Sequence, residues 1–242
     1  MSRLATITWG TDQFRVGPWH GDDRVAYIAV GVGSAMPTAA GVRGVLARVA
    51  ATGYVRVMTS ALRPQEARAF LDAGFRERER LIVLRREIRD GDAVAPTGDR
   101  RARRSDRPGV LAVDHAAFER AWRLDGQGLD EALAATPRVR FRVADAPVGT
   151  VIDAPENSVA GYVICGRAGK AGYLQRLAVH PVAQGRGIGR TLIASSLAWL
   201  QRRGAHDIIV NTQATNQRAI DLYRATGFEP DRSELIVLEI DL

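Results

Sequence analysis

Cysteine, lysine and long apolar runs are what this 242-residue sequence has least of, and each shortage excludes something. The single cysteine, Cys165, rules out an internal disulfide. Its place in Gly161-Tyr162-Val163-Ile164-Cys165 reads as a buried, unreactive thiol within a strand. No apolar stretch approaches the roughly 18–20 residues of a membrane-spanning helix. The amino-terminal Met1-Ser2-Arg3-Leu4-Ala5-Thr6-Ile7-Thr8-Trp9 has neither the apolar core nor the small-residue cleavage site of a secretory signal, so the expected compartment is the cytoplasm. The four histidines are scattered, with no pair at metal-ligand spacing, and no metal is expected.

Lysine occurs once, at Lys170, so 33 of the 34 cationic side chains are arginine, and the net charge is +7. A basic chain attracts nucleic acid or other anions. Here the arginines are spread through both halves. The densest run, Arg100-Arg101-Ala102-Arg103-Arg104 with Arg107, is punctuated by Asp99 and Asp106. A solvated face is the simpler reading, an anionic small ligand or an acidic partner surface the alternative. Nucleic acid is not an expected partner.

The polar stretch Asp90–Asp99, which contains Gly91, Pro96 and Gly98 and has neither helical nor strand periodicity, is the best linker candidate. It gives domains at 1–90 and 99–242, with 91–98 between them. The two parts end alike. In the first, the strand Tyr54-Val55-Arg56-Val57-Met58 precedes a helical stretch from Pro64 to Ala73. Gly74-Phe75 and the strand Leu81-Ile82-Val83-Leu84 follow. In the second, the strand Asp207-Ile208-Ile209-Val210-Asn211 precedes a helical stretch from Asn216 to Ala225. Gly227-Phe228 and Leu235-Ile236-Val237-Leu238 follow. The same order at nearly constant spacing points to an internal duplication. Gly74 and Gly227 each close a helix in the left-handed conformation that glycine adopts at little cost.

The rest of the second half reads as α+β. Helices are expected over 106–118 and 127–135, strands near 138–144, 159–166 and 171–179, and a long helix from about Gly187 to Arg202. Ile188, Leu192, Ile193, Leu197 and Leu200 recur at helical spacing and are core. Between the last strand and that helix lies Gln184-Gly185-Arg186-Gly187-Ile188-Gly189-Arg190. The first backbone N–H groups of a helix lack partners, and its dipole favours negative charge there. Gly185, Gly187 and Gly189 remove Cβ atoms from the approach of a diphosphate, and Arg186 and Arg190 can add charge-assisted contacts. A dinucleotide-binding turn is disfavoured because no βαβ crossover precedes the loop, and no Gly-Lys-Ser/Thr supports a P-loop.

This segment resembles motif A of the GCN5-related N-acetyltransferase (GNAT) superfamily, Gln/Arg-x-x-Gly-x-Gly/Ala, matched by Gln184, Gly187 and Gly189 after a strand ending Leu177-Ala178-Val179. Asn216 through Ala219, Tyr223 and Gly227-Phe228 resembles the family's motif B. Arg101-Ala102-Arg103-Arg104-Ser105-Asp106 and the helix after it resemble a GNAT first strand and helix. The likeness covers about 97–242 in order and spacing. It implies two GNAT-like α+β domains, each a mostly antiparallel central sheet flanked by helices, the first of them truncated. It also implies acetyl-CoA as co-substrate. Strand backbone at Leu177, Ala178 and Val179 would then pair with the pantetheine arm, and the amides of Gln184, Gly185, Arg186, Gly187, Ile188, Gly189 and Arg190 would hold the pyrophosphate. Asn216 would contact the CoA arm. Tyr223 would protonate the leaving thiolate. By their residue types alone, Asn216 also suits a helix start and Tyr223 a core aromatic.

One expected part is missing. Many GNAT enzymes use a carboxylate on the strand before motif A to obtain a neutral amine, yet Ala171–Val179 contains no Asp or Glu. Asp125, Glu131, Asp153 and Glu156 are the carboxylates elsewhere that deserve testing. Neutralising an α-amine of pKa near 8 at pH 7 costs about 1.4 kcal/mol, against roughly 4.6 kcal/mol for a lysine side chain. A site without a strong base suits the former. In the first half, Gly31 to Gly44 keeps no such motif, Arg63 stands where Asn216 would align, and Phe70 stands where Tyr223 would. That half reads as a degenerate, non-catalytic copy. The expectation is an N-acetyltransferase acting on a small-molecule or peptide amine, as a monomer or homodimer. A non-catalytic acyl-CoA-binding or regulatory module is the alternative, and the acceptor itself is not legible.

Overall fold

The computed structural model describes residues 4–19, 22–31, 33, 36–88, 98–147, 152 and 159–242. In chain order they form β1 (Ala5–Trp9), β2 (Asp12–Trp19), β3 (Asp22–Val30), α1 (Ala39–Ala50), β4 (Arg56–Thr59), α2 (Pro64–Leu71) and β5 (Arg76–Glu87). The second half contributes β6 (Arg100–Arg101), α3 (Arg107–Ala117), α4 (Gly126–Ala134), β7 (Arg138–Asp145), β8 (Val159–Ala168) and β9 (Ala171–Val179). It closes with α5 (Ile188–Arg202), β10 (Asp207–Gln213), α6 (Gln217–Ala225) and β11 (Glu229–Asp241). The linker expected at 91–98 lies outside the described residues except for Gly98.

Two compact units result, and they do not follow the linear order of the chain. One comprises Met1–Val83, Asn211–Asn216 and Asp231–Leu242; the other comprises Leu84–Val210 and Gln217–Pro230. Domains at 1–90 and 99–242 would count Asp231–Leu242 with the second half, whereas this segment belongs to the first unit. The cause is strand pairing: β11 lies antiparallel on β4, with Glu239 opposite Met58.

In the first unit the strand order is β1-β2-β3-β4-β11. The β1/β2 and β2/β3 pairs are antiparallel and β3/β4 is parallel. Strand β2 alternates buried and exposed positions, which carries Asp12, Phe14 and Val16 inward. Phe14, Ile28, Val45, Val57, Phe70 and Leu238 are core residues there. The β1–β2 hairpin turns at Gly10, whose φ of 58° is left-handed.

The second unit has the order β10-β9-β8-β7-β6. The β6/β7, β7/β8 and β8/β9 pairs are antiparallel and β9/β10 is parallel. The antiparallel, antiparallel, parallel succession thus repeats in β7-β8-β9-β10 what β1-β2-β3-β4 does, and the duplication expected from the sequence endings extends through the strands of both units. The fold is α+β, mostly antiparallel in each unit. Among the described residues, the leading helices α3 and α4 occur only in the second copy. Asp125 starts α4 by accepting the Gly128 N–H at 2.7 Å. Helix α5 buries Leu192, Ile193, Leu197 and Leu200, each worth about 1.5–3 kcal/mol of apolar burial.

Two arginines of the arginine-rich run, Arg100 and Arg107, are ion-paired to neighbouring carboxylates. Arg100 pairs with Asp106 and Asp145, both at 2.8 Å, and Arg107 with Asp130 at 2.7 Å.

Candidate active site

Strand β9 and the start of α5 position the site. The parallel pairing of β9 with β10 runs from Ala171 to Tyr173 only, although β9 continues to Val179. At the same place β9 departs from regular pairing with β8: Ile164 faces Arg176 and Cys165 faces Leu174, so Gln175 is an extra residue. The bulge bends the strand where its parallel neighbour stops. Which backbone groups are left over follows from the ladder. His180 N–H donates to Ala160 O at 2.8 Å, and an antiparallel ladder bonds alternate residues. Ala178 and Arg176 therefore bond toward β8, whereas Leu177 and Val179 direct their backbone groups to the opposite edge.

The predicted contact residues separate accordingly. Leu177 offers its N–H and C=O, and Val179 its N–H, on the open edge. Ala178 is buried, pairs with Tyr162 and packs its methyl among Val110, Val113 and Tyr162. Gln184 Nε2 reaches back to the Val179 carbonyl at 2.9 Å, tying loop to strand.

In the loop, Gly185 and Gly187 have φ of 78° and 81°, and a Cβ at either would point into open space. Glycine is needed at both for the left-handed backbone. Gly187 immediately precedes α5, and Thr191 N–H to Gly187 O, 3.0 Å, is the first bond of that helix. The N–H groups of Ile188, Gly189 and Arg190 come before it and have no intrahelical acceptor. Gly185, Arg186, Gly187 and Arg190 are exposed. Gly189 has a different reason to be glycine: a Cβ there would stand 2.9 Å from Leu222 Cδ2, so it admits α6 against α5.

Tyr223 follows Leu222 on α6. It is buried, with its ring 5.8 Å from that of Phe228 in an edge-on arrangement. Burial pushes its hydroxyl up to about 12, opposed by the positive charge of Arg176. The hydroxyl therefore keeps its proton throughout the neutral range, as a proton donor must. Asn216 belongs to the other compact unit, where its N–H donates to Gln213 O at 2.9 Å. It is not brought together with the loop residues within one unit.

Of the four carboxylates singled out from the sequence, the two among the described residues are held in local bonds. Asp125 is spent on its helix cap, and Glu131 accepts from Gln127 Nε2 at 2.9 Å. Asp153 and Glu156 lie outside the described residues. What the sequence reading overlooked is Asp114 on α3, fully buried and bonded to Arg176 of β9, to the Tyr162 hydroxyl and to the Leu124 N–H. Its one signal was a carboxylate set among Val110, Leu111, Val113 and Phe118. Among the described residues no cluster of three His, Cys, Asp or Glu could hold a metal, and no helix is long and apolar enough to cross a membrane.

Comparison with known proteins agrees with this geometry. Residues 115–228 match the acetyltransferase (GNAT) family. The mycothiol acetyltransferase of Nocardia farcinica is 29% identical over 233 residues, covering 88% of this chain and 74% of the relative. The mycothiol acetyltransferase of Salinispora tropica is 29% identical over 192 residues, covering 75% of this chain and 62% of that protein. Among solved structures, a tandem GNAT protein from the clavulanic acid biosynthesis pathway superposes with a TM-score of 0.68 at 13% identity, over 99% of this chain and 83% of its own. A GCN5-related N-acetyltransferase from Sphaerobacter thermophilus gives 0.60 at 16% identity, over 96% and 76%. The glycine loop, the opened strand edge and these likenesses converge on residues 115–228 as an acetyl-CoA-dependent acetyltransferase domain of the GNAT family, within a chain that has the tandem GNAT fold.

Proposed function

We propose that the protein moves the acetyl group of acetyl-CoA to a primary amine by direct attack, with Tyr223 as general acid. The carrying observation is the pairing of two anchor points within one unit: the open backbone edge at Leu177 and Val179, and the unbonded amides of Ile188 to Arg190 behind two left-handed glycines. A pantetheine amide fits the first by strand-like pairing, a pyrophosphate the second. Hydrogen bonds to a charged group contribute about 1.5–3 kcal/mol each, so three amides on a diphosphate suffice to anchor it.

The chemistry then balances without a metal. The neutral amine attacks the thioester carbonyl carbon, the C–S bond breaks, and sulfur takes the electron pair together with the Tyr223 proton. The nitrogen sheds its extra proton to solvent, and the phenolate regains one. The names of the Nocardia and Salinispora relatives support a small-molecule amine acceptor related to mycothiol. The absence of a carboxylate from β9 supports an amine of low intrinsic pKa, such as an α-amine.

Substitution Tyr223→Phe tests the role of the hydroxyl. General acid catalysis contributes roughly 100-fold or more, so kcat is expected to fall by about that factor while the acetyl-CoA dissociation constant stays within about twofold. Undiminished kcat in the variant overturns the assignment.

A further inference from the structure

Helices α2 and α6 end in the same backbone turn. Thr226 N–H and Phe228 N–H both donate to the Tyr223 carbonyl at 3.0 Å, and Gly227 N–H donates to that of Arg224 at 3.0 Å. In the first copy, Ala73 and Phe75 donate in the same way to Phe70, at 3.0 and 3.1 Å, and Gly74 donates to Leu71 at 3.0 Å. Both closing glycines are left-handed, with φ of 83° at Gly227 and 99° at Gly74. Against this common backbone the side chains can be compared position by position.

Three differences coincide there. Tyr223 stands where the first copy has Phe70. Thr226 stands where it has Ala73, and the Thr226 hydroxyl is 2.9 Å from the carbonyls of both Leu222 and Tyr223. The third difference lies on the strand that passes the turn. A Cβ at Gly74 would stand 3.6 Å from Ile240 Cδ1, whereas one at Gly227 would stand 3.3 Å from Cζ of the Arg86 guanidinium. Arg86 precedes Ile240 by the same interval that separates Leu81-Ile82-Val83-Leu84 from Leu235-Ile236-Val237-Leu238, so the two occupy one position of the repeat. Arg86 lies on β5, whose end from Leu84 onward belongs to the same compact unit as α6. Its Nη1 donates to the Thr226 carbonyl, and a cation at a helix end also complements the helix dipole. Isoleucine can do neither.

Helix α6 needs such an outside anchor. It has nine residues, of which Ile220 and Tyr223 are the buried ones, and so short a helix does not hold itself. The Tyr223 hydroxyl is at the tip of a long rigid side chain, so a tilt of the last turn moves it further than the backbone. We propose that Arg86 is a positioning residue for the acetyl transfer: a side chain from the closing strand of the first copy fixes the end of α6, and through it the Tyr223 hydroxyl. The inference rests on Tyr223 as general acid. Misplacing a reacting group by about 1 Å costs up to roughly 100-fold in rate. The first copy, whose Phe70 has no proton to place, has alanine and isoleucine where the second has threonine and arginine.

Variants of the full chain test this by kinetics and by hydrogen exchange. Arg86→Met removes the donor and the charge from a chain of similar shape. Its kcat for acetylation of glycinamide is expected to fall about tenfold, with the acetyl-CoA dissociation constant within about twofold. Arg86→Lys keeps a cationic donor and is expected to restore most of that loss. The deciding comparison is made in Tyr223→Phe. If Arg86 acts through the hydroxyl, Arg86→Met is expected to change kcat by less than about twofold once the hydroxyl is gone. Losses that multiply overturn the proposal, as does native kcat in Arg86→Met alone. Ile240→Ala, at the matching position of the first copy, is expected to leave kcat unchanged; an equal fall there would assign both losses to general loosening and overturn it too.

Amide exchange read by mass spectrometry needs no acceptor. The amides of Thr226, Gly227 and Phe228 are expected to exchange about tenfold faster in Arg86→Met, while those of α5 keep their native rates. Unchanged exchange at the turn overturns the anchor. If instead Tyr223→Phe retains full kcat, the reading of Tyr223 fails and the catalytic role of Arg86 falls with it, whereas faster exchange still shows Arg86 holding the turn.

Discussion

The two copies place loops of equal length between a parallel-paired strand and a helix, and treat the helix start in opposite ways. Residues 31–38 join β3 to α1, and residues 180–187 join β9 to α5. The last loop residue is Thr38 in one and Gly187 in the other. The Thr38 hydroxyl accepts the Gly41 N–H at 3.0 Å, and its own N–H and O–H go to Asp12 Oδ2 at 3.0 and 2.6 Å. Asp12 is buried, and Gly41 makes the room for it: a Cβ there would overlap Oδ2 at 1.9 Å. In the second copy the corresponding amides face outward behind glycines. Every helix start attracts an anion. Whether it becomes a binding site depends on whether the protein supplies that anion itself. The first copy does, with a side chain from β2, and so has no call for a diphosphate.

The largest expected effect comes from breaking the open end. Gly187→Val forces a β-branched residue into a left-handed backbone and puts methyls where the loop now has open space. Acetyl-CoA affinity is expected to fall by roughly 100-fold or more, read by calorimetry. Thr38→Gly at the matching position is expected to leave both affinity and a stoichiometry of one untouched. Two sites in either protein would break the comparison.

Next is the filled end. Asp12→Ala removes a buried carboxylate with two hydrogen bonds and is expected to cost about 2 kcal/mol in urea unfolding, with acetyl-CoA affinity unchanged. A loss of affinity equal to that of Gly187→Val would mean that the two ends are not independent.

The smallest effect concerns where the second copy spends its own buried carboxylate. Asp106 precedes α3, bonded to Arg100 twice at 2.8 Å and to the Arg103 N–H at 2.6 Å. Chiefly Arg100 holds its carboxyl below the ordinary range. A depressed pKa stabilises the fold above the unfolded value near 4 and ceases to do so as pH falls through the folded value. Asp106→Asn is therefore expected to cost about 1 kcal/mol at pH 7 and progressively less in acid. A constant difference down to pH 2 would assign the loss to packing.

How much of this could be read in advance varies with range along the chain. The loop 184–190 was legible because local backbone demands choose its glycines, and helical spacing marked Leu192, Ile193, Leu197 and Leu200 of the α5 core, with Ile188 only half-buried. Gly189 was read as room for a diphosphate, whereas its packing reason needed Leu222, more than thirty residues away. Asp12 was illegible: it is a lone acid after a turn, and only pairing of β2 with β3 brings it to α1. Arg176 and Asp114, 62 residues apart, each look misplaced in an apolar pattern until they meet. The place of β11 was hidden for a related reason. A repeat suggests that each copy keeps its own last strand, and nothing local to Leu235–Leu238 says otherwise.

The pairing of β11 with β4 bears on how the chain is made. The first unit includes the final twelve residues, Asp231–Leu242, so it cannot be completed while the ribosome is still adding the second copy. Strand β4 waits for β11. A fragment ending after β5 would lack a strand of its own sheet, and one beginning at β6 would carry a strand with no place to go. The worn copy can lose its loop over time, but neither half can be discarded or expressed alone without leaving an edge unpaired.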